Sequence, residues 1–503
     1  MTSTEQLLPR RRMQALMAAA TALLVGGIVG RFRTGSAILM LLCFIVLAGV
    51  ALSPEFALGF AILAQTNFLG LIDPELLSIP GLFKISDIAF VLLLVPLVED
   101  LATRRFQIER LRTAFLAPVA LIIGVALFNI FLSNLREGVP LSLGFRIGRR
   151  YVFYALFFVA YYALTEPRRL EWMMRGCRLA GVVSALVVMA VFFTGSEWLS
   201  AGMVTGEYPT AAEFTRPYSP AFPLIILAFF DSLAHTLASR GRTHWLTVAA
   251  LGVTAGGILV DLSRNGWMAV IVGSGAMWWV MRRGGLFPRW RATRLAFGGL
   301  VALAVLGVFA AQFTGRGLGD ALQVFGDRFV STFADVGQMR GTFGQRIDIL
   351  TTRMHLMSEE PTTFIWGLGF ATTQVRAIDL ALAAEVGMGD FTLLGGENGV
   401  ATILAELGVL GLIAVAWFSW LVIKRGLWLG TRARDPRGRT LGPALAACHL
   451  SFVVQFLSLS SLSFAYSPYV MATALLMAMI ERQYRFSLAA LAAAPLPGAG
   501  RSR

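Results

Sequence analysis

The sequence predicts an all-α, polytopic transmembrane protein of about 12–14 spans. Three observations carry that expectation. Of 503 residues, 56% are hydrophobic and 14% charged, and the mean hydropathy is +0.70, well above what a water-soluble core requires. Apolar runs of about 17–25 residues recur along nearly the whole chain, and about 20 helical residues cross the hydrocarbon layer. The runs are continuous and do not alternate, which selects helices over a β-barrel.

Taken in order, apolar windows place spans at 13–30, 36–52, 54–72, 82–98, 114–133, 149–165 and 174–195, then at 220–238, 245–262, 265–281 and 295–312. They resume at 398–423, 443–463 and 466–480. The third window carries Gln65 and Asn67 and also fits a re-entrant segment, and the last two are tightly joined, so the count spans a range. The chain therefore divides into a cytoplasmic segment 1–12, a membrane domain 13–312 of about eleven spans, an extracytoplasmic loop 313–396, a membrane domain 397–480 of about three spans, and a disordered cytoplasmic tail 481–503. The tail beyond Phe486, rich in Ala and Pro, reads as a disordered cytoplasmic segment.

The net charge of +14 is spread through short segments between apolar spans and forms no patch, which argues against nucleic acid as a partner. It is instead a topology signal. Placing the N-terminus in the cytoplasm puts most of the 43 basic residues on that side, including Arg104, Arg105, Arg110 and Arg112, the run from Arg282 to Arg294, and that from Lys424 to Arg439. Arg31 and Arg33 are the main local exception. Cys43, Cys177 and Cys448 are far apart, with no metal-ligand spacing around them. The Arg10–Arg12 cluster precedes an apolar run without a cleavage pattern and reads as the start of a retained first span.

A connection as long as 313–396 is generally functional or disordered. Phe325, Phe329, Phe333, Ile347, Leu350, Met354 and Met357 recur at helical intervals, which predicts short amphipathic helices on the outer surface. No internal repeat or matched pair of Gly- or Pro-broken spans, as secondary transporters often show, is present in the sequence. Asp87, Asp231, Asp261 and Glu406 fall nearer span ends than mid-membrane, which gives an ion pathway little support.

Four segments carry candidate chemistry. The turn Asp261-Leu-Ser-Arg264-Asn-Gly-Trp267 holds Arg264 at the outer interface, either to grip a phosphate or simply to reach lipid headgroups. Gly344-Gln-Arg346-Ile-Asp348 offers a second anion ligand in Arg346, followed by a Trp366-Gly-Leu-Gly369-Phe turn; a solvated helix face accounts equally for Arg346. Gly395-Gly-Glu397-Asn398 leads into the next span, where Glu397 and Asn398 can serve as helix caps or as a base and its support. Arg146, Arg149 and Arg150 cluster on the side where positive charge is scarce, where they can bind a donor pyrophosphate or, with Tyr151 and Tyr154, anchor to headgroups.

In their order SRNGW, GQR, GLGF and ENGVATILAELGVLG, with a large loop between the proper spans, these segments resemble the O-antigen ligase and Wzy-type polysaccharide polymerase superfamily over roughly 262–412. The resemblance implies a GT-C-like, metal-independent inverting glycosyltransferase with no cofactor, working at the outer face of a bacterial cytoplasmic membrane. Its donor would be an undecaprenyl-pyrophosphate-linked oligosaccharide and its acceptor a glycan. Membrane lipids, a chain-length regulator and a flippase are the further candidate partners. By the same resemblance Arg264 and Arg346 are the phosphate ligands. The family's His falls on Glu397, which points away from a ligase onto lipid A and toward a polymerase of exopolysaccharide or O-antigen repeat units.

That assignment suits the residues themselves. Glycosyl transfer needs an activated acceptor hydroxyl and a stabilised leaving pyrophosphate. Glu397 could take the hydroxyl proton, although a carboxylate is a weaker base than imidazole. Two other functions share the motif set: a ligase attaching glycan to lipid A or protein, and a non-enzymatic flippase or transporter. The last needs a charged cavity open to both faces, whereas the polar motifs lie on one face.

Overall fold

The computed structural model describes residues 111–195, 204–207, 215–238, 245–261, 263–286, 361–370, 399–457 and 466–493, with Phe464 and isolated positions between 326 and 358. The spans assigned before residue 111 and at 295–312, and most of the 313–396 interval, lie outside the described residues.

Helix α1 (Leu116–Glu137) starts beside Thr113, whose hydroxyl accepts from Phe115 N at 3.2 Å. It stops at Gly138, where a φ of 64° turns the chain into the left-handed region that glycine enters freely. After Pro140, α2 (Leu141–Val152), a 3₁₀ turn (Phe153–Ala155) and α3 (Leu156–Ala163) form one uninterrupted helical segment. Helix α4 (Pro167–Thr194) opens on a proline, whose missing N–H is no loss in the first turn. A short antiparallel ribbon, β1 (Val204–Glu207) with β2 (Thr215–Tyr218), pairs Val204 with Tyr218 and is the one departure from helix among the described elements.

Helices α5 (Phe222–Ala238), α6 (Trp245–Val260) and α7 (Arg264–Arg283) follow, the last capped by Ser263, whose hydroxyl accepts from Gly266 N at 3.2 Å. Beyond them come the short α8 (Pro361–Trp366) and three long helices, α9 (Gly399–Arg432), α10 (Pro436–Leu457) and α11 (Ser467–Ala492). Four helices among the described residues, α1, α4, α9 and α10, are long and apolar enough to cross a membrane.

Burial is distributed as a bilayer demands. Phe131, Leu179, Ile271, Trp417 and Trp420 are exposed, while Asn129, His449 and Ser451 are fully buried and bonded to neighbouring helices. The fold is that of a helical membrane protein. Small residues let the helices approach: Gly273 of α7 packs where a Cβ would lie 2.6 Å from Phe230 of α5, and Gly257 of α6 where it would lie 2.7 Å from Ala185 of α4.

The bundle has two chemically different ends. At one, arginines tie helix termini together: Arg437 donates to Pro167 O at 2.6 Å, Arg482 to Tyr161 O at 2.6 Å and Arg439 to Gly284 O. Gln483 and Ser487 of α11 reach Asp435 at 2.9 and 2.6 Å. The opposite end carries the turn at Gly138, the start of α9 and the segment 361–370.

Two boundaries differ from the sequence expectation, and one segment of the long interval is seen packed against the bundle. Helix α2 begins at Leu141, ahead of the apolar window at 149, because Arg146, Arg149 and Arg150 dilute the hydropathy of a helix whose buried face is Gly144, Gly148 and Tyr151. Residues 481–492, assigned to a disordered tail, continue α11; polar contacts to Arg425 and Asp435 hold these turns where hydropathy is silent. Residues 361–370, inside the interval read as an outer loop, are packed between α1 and α9.

Candidate functional site

The site forms where α9 breaks. Gly408 adopts φ 63° and ψ −164°, a conformation open only to glycine, in the middle of an otherwise helical run. A break there leaves the carbonyls just before it without their helical N–H partners. Two are satisfied from outside. Ala405 O accepts from Leu368 N at 2.7 Å and Gly369 N at 3.3 Å, and Glu406 O accepts from Asn129 Nδ2 at 2.7 Å.

Asn129 of α1 is thereby a clip, because the same amide also donates to Trp366 O at 2.5 Å. The turn it holds is Gly367-Leu-Gly369-Phe370. Gly367 and Gly369 have φ of 89° and 95°, and a Cβ on Gly367 would lie 2.8 Å from Ala405 O. The glycines of the GLGF motif are thus needed for backbone contact between turn and broken helix. Thr363 closes the other side, donating to Met357 O at 2.9 Å.

Beneath the turn lies a buried polar trio. Arg150 of α2 is ion-paired with Glu406 Oε1, and Tyr151 donates to Glu406 Oε2 at 2.6 Å. Side-chain exposure is 21% for Arg150 and 11% for Glu406, so the pair is largely shielded from water. Phe370 packs against this group, its ring tilted 30° to that of Tyr151 with the centroids 5.8 Å apart. Close approach of α2 depends on Gly148, where a Cβ would come within 2.7 Å of Phe370. The carboxylate also sits in the last turn before the break, where exposed carbonyls favour a nearby cation such as Arg150.

Arg146, Arg149 and Arg150 lie at i, i+3 and i+4, so they share one face of α2. Arg146 is exposed, Arg149 half-buried, and Arg150 turned inward to Glu406. Arg150 Nε and Asn129 Oδ1 are buried without a hydrogen-bond partner among the described residues. Both carboxylate oxygens of Glu406 are engaged. The group is built to hold Arg150 in place, with the exposed Arg146 beside it carrying a guanidinium fork of the kind that matches phosphate.

Of the other residues singled out in the sequence, Arg264 is the first residue of α7. Helix α7 ends beside α9's far terminus, where Arg439 reaches Gly284 O and Gly430 packs on Val280, so its beginning falls at the same end of the bundle as Glu406. Arg346, Glu397 and Asn398 lie outside the described residues. Asn129 and Tyr151 were not legible as site residues, and Glu406 registered only as a charge near a span end. The available signals were a carboxylate and an amide within apolar runs and the spacing Gly144-x-x-x-Gly148.

These features define a polytopic helical membrane protein with a polar cluster at one end of the bundle. No family model matches the chain, and no curated protein matches it significantly.

Proposed function

We propose that the protein is a GT-C-like glycosyltransferase that moves undecaprenyl-pyrophosphate-linked oligosaccharide at the outer face of a bacterial cytoplasmic membrane, polymerising repeat units. The observation that carries this reading is convergence. The arginine face of α2, the GLGF turn and the ELG break in α9 are far apart in sequence and meet at one bundle end, the end where α7 begins with Arg264.

The reaction is a displacement at the donor's anomeric carbon. The acceptor hydroxyl attacks, its proton passes to Glu397, a new glycosidic bond forms, and the bond to the pyrophosphate oxygen breaks with inversion. Undecaprenyl pyrophosphate leaves with the bonding electrons, and Arg264 and Arg346 offset its charge. Arg146 and Arg149 extend the cationic surface toward the donor, and Asn398 orients Glu397 or the sugar. In this scheme Arg150 is a positioning residue, committed to Glu406.

Purified protein in liposomes, given a synthetic undecaprenyl-pyrophosphate oligosaccharide, is expected to produce lipid-linked chains of two or more repeats. Transfer to added lipid A without elongation would reassign it as a ligase. Movement of the donor between leaflets with no new glycosidic bond would replace the enzyme reading by a flippase.

A further inference from the structure

At the end of the bundle remote from the GLGF turn, a groove of about 690 Å³ opens between the start of α1, α9 and α11. Its polar lining includes Arg112, Arg425, Arg485, Glu481 and Tyr484, and its apolar rim includes Leu116 and Leu488. We propose that this groove is a binding site for the phosphate headgroup of an anionic phospholipid, separate from the glycan site.

Charge is the first argument. Three guanidinium groups face one carboxylate, and that carboxylate is spoken for: Glu481 is 2% exposed and lies 3.2 Å from Arg425 Nε and 3.3 Å from Arg485 Nε. Both contacts use Nε, so the terminal nitrogens of Arg425 have no hydrogen-bond partner among the described residues. The Arg425 guanidinium is also fixed in plane, its Cζ 3.6 Å from the Tyr484 ring centroid. Arg485 spends a terminal nitrogen on Arg112 O, which pins the backbone of Arg112 while its exposed guanidinium has no partner among the described residues. The result is a preorganised surplus of positive charge lining an open groove.

Position supplies the second argument and chooses between a free phosphate and a lipid. Leu116 is the first residue of a membrane-crossing helix and is 40% exposed, and Leu488 is 39% exposed on the facing helix. Arg112 therefore lies one turn beyond the apolar span, at the depth of lipid phosphates, and the leucines offer acyl chains a surface that a soluble anion does not need. Basic pockets between transmembrane helices are a recurrent way of holding anionic headgroups.

The test is native mass spectrometry of the full-length protein equilibrated with equal amounts of phosphatidylglycerol and phosphatidylcholine. Preferential retention of phosphatidylglycerol is expected, falling about tenfold in Arg112→Gln and further in Arg112→Gln/Arg485→Gln. Arg434→Gln, which removes an exposed charge at the same end but outside the groove, should retain the preference. A parallel thermal-stability assay compares dihexanoyl phosphatidylglycerol with inorganic phosphate, and only the lipid should raise the melting temperature. Equal retention of both lipids, an equal loss in Arg434→Gln, or equal protection by inorganic phosphate would each overturn the proposal.

Discussion

Arg150 and Glu406, 256 positions apart in the chain, form an ion pair beneath the GLGF turn, with Tyr151 donating to the second carboxylate oxygen at 2.6 Å. The pair joins α2 to α9 two residues before Gly408, where the helix breaks. Removing one partner strands a shielded charge, whereas removing both does not. Glu406→Ala and Arg150→Ala should each destabilise by about 3–5 kcal/mol, and Arg150→Met/Glu406→Leu should recover much of that stability. Thermal unfolding in detergent measures this; equal losses in single and double variants would show that the pair is not a unit.

Gly408→Ala tests the break in α9. A φ of 63° with ψ near −164° is strained for any side chain, and the new Cβ would collide with Ile365 O. The expected cost is about 1–3 kcal/mol, paid by release of residues 361–370 from α9. A cysteine at Thr362 should then react faster with a membrane-impermeant maleimide than in the parent.

Asn129→Leu removes the clip without changing side-chain volume greatly. Trp366 O and Glu406 O each lose a buried donor, at about 1–3 kcal/mol per orphaned group. Protease cleavage between 361 and 370 should increase, with membrane insertion of α1 unaffected. Unchanged cleavage would show that the contacts of Ala405 O with Leu368 and Gly369 suffice to hold the turn.

Glu397→Gln tests the proposed base. Its rate of glycosyl transfer should fall by about 10²–10⁴-fold with donor binding retained, while Arg264→Gln should weaken both binding and rate. Full-length polymer from Glu397→Gln would remove Glu397 from the mechanism.

Much of the helical plan was legible in the sequence because crossing a bilayer imposes a local requirement: about 20 apolar residues with their backbone bonds satisfied internally. The windows at 114–133, 174–195 and 443–463 overlap α1, α4 and α10 for that reason. Hydropathy failed where helices are anchored by charge instead: α2 starts among arginines, and α11 runs to Ala492 on the strength of contacts from Glu481 and Ser487.

The long interval 313–396 was equally visible as a break in an apolar chain, and its GLGF motif as a tight turn. Hydropathy and residue order alone determined those. Only the tertiary structure decided that the turn enters the bundle, that Asn129 clips it, and that Arg150 is committed to Glu406. The physical reason is that free carbonyls beside Gly408 and a shielded carboxylate must find partners in space, and a linear sequence does not state which distant donors arrive.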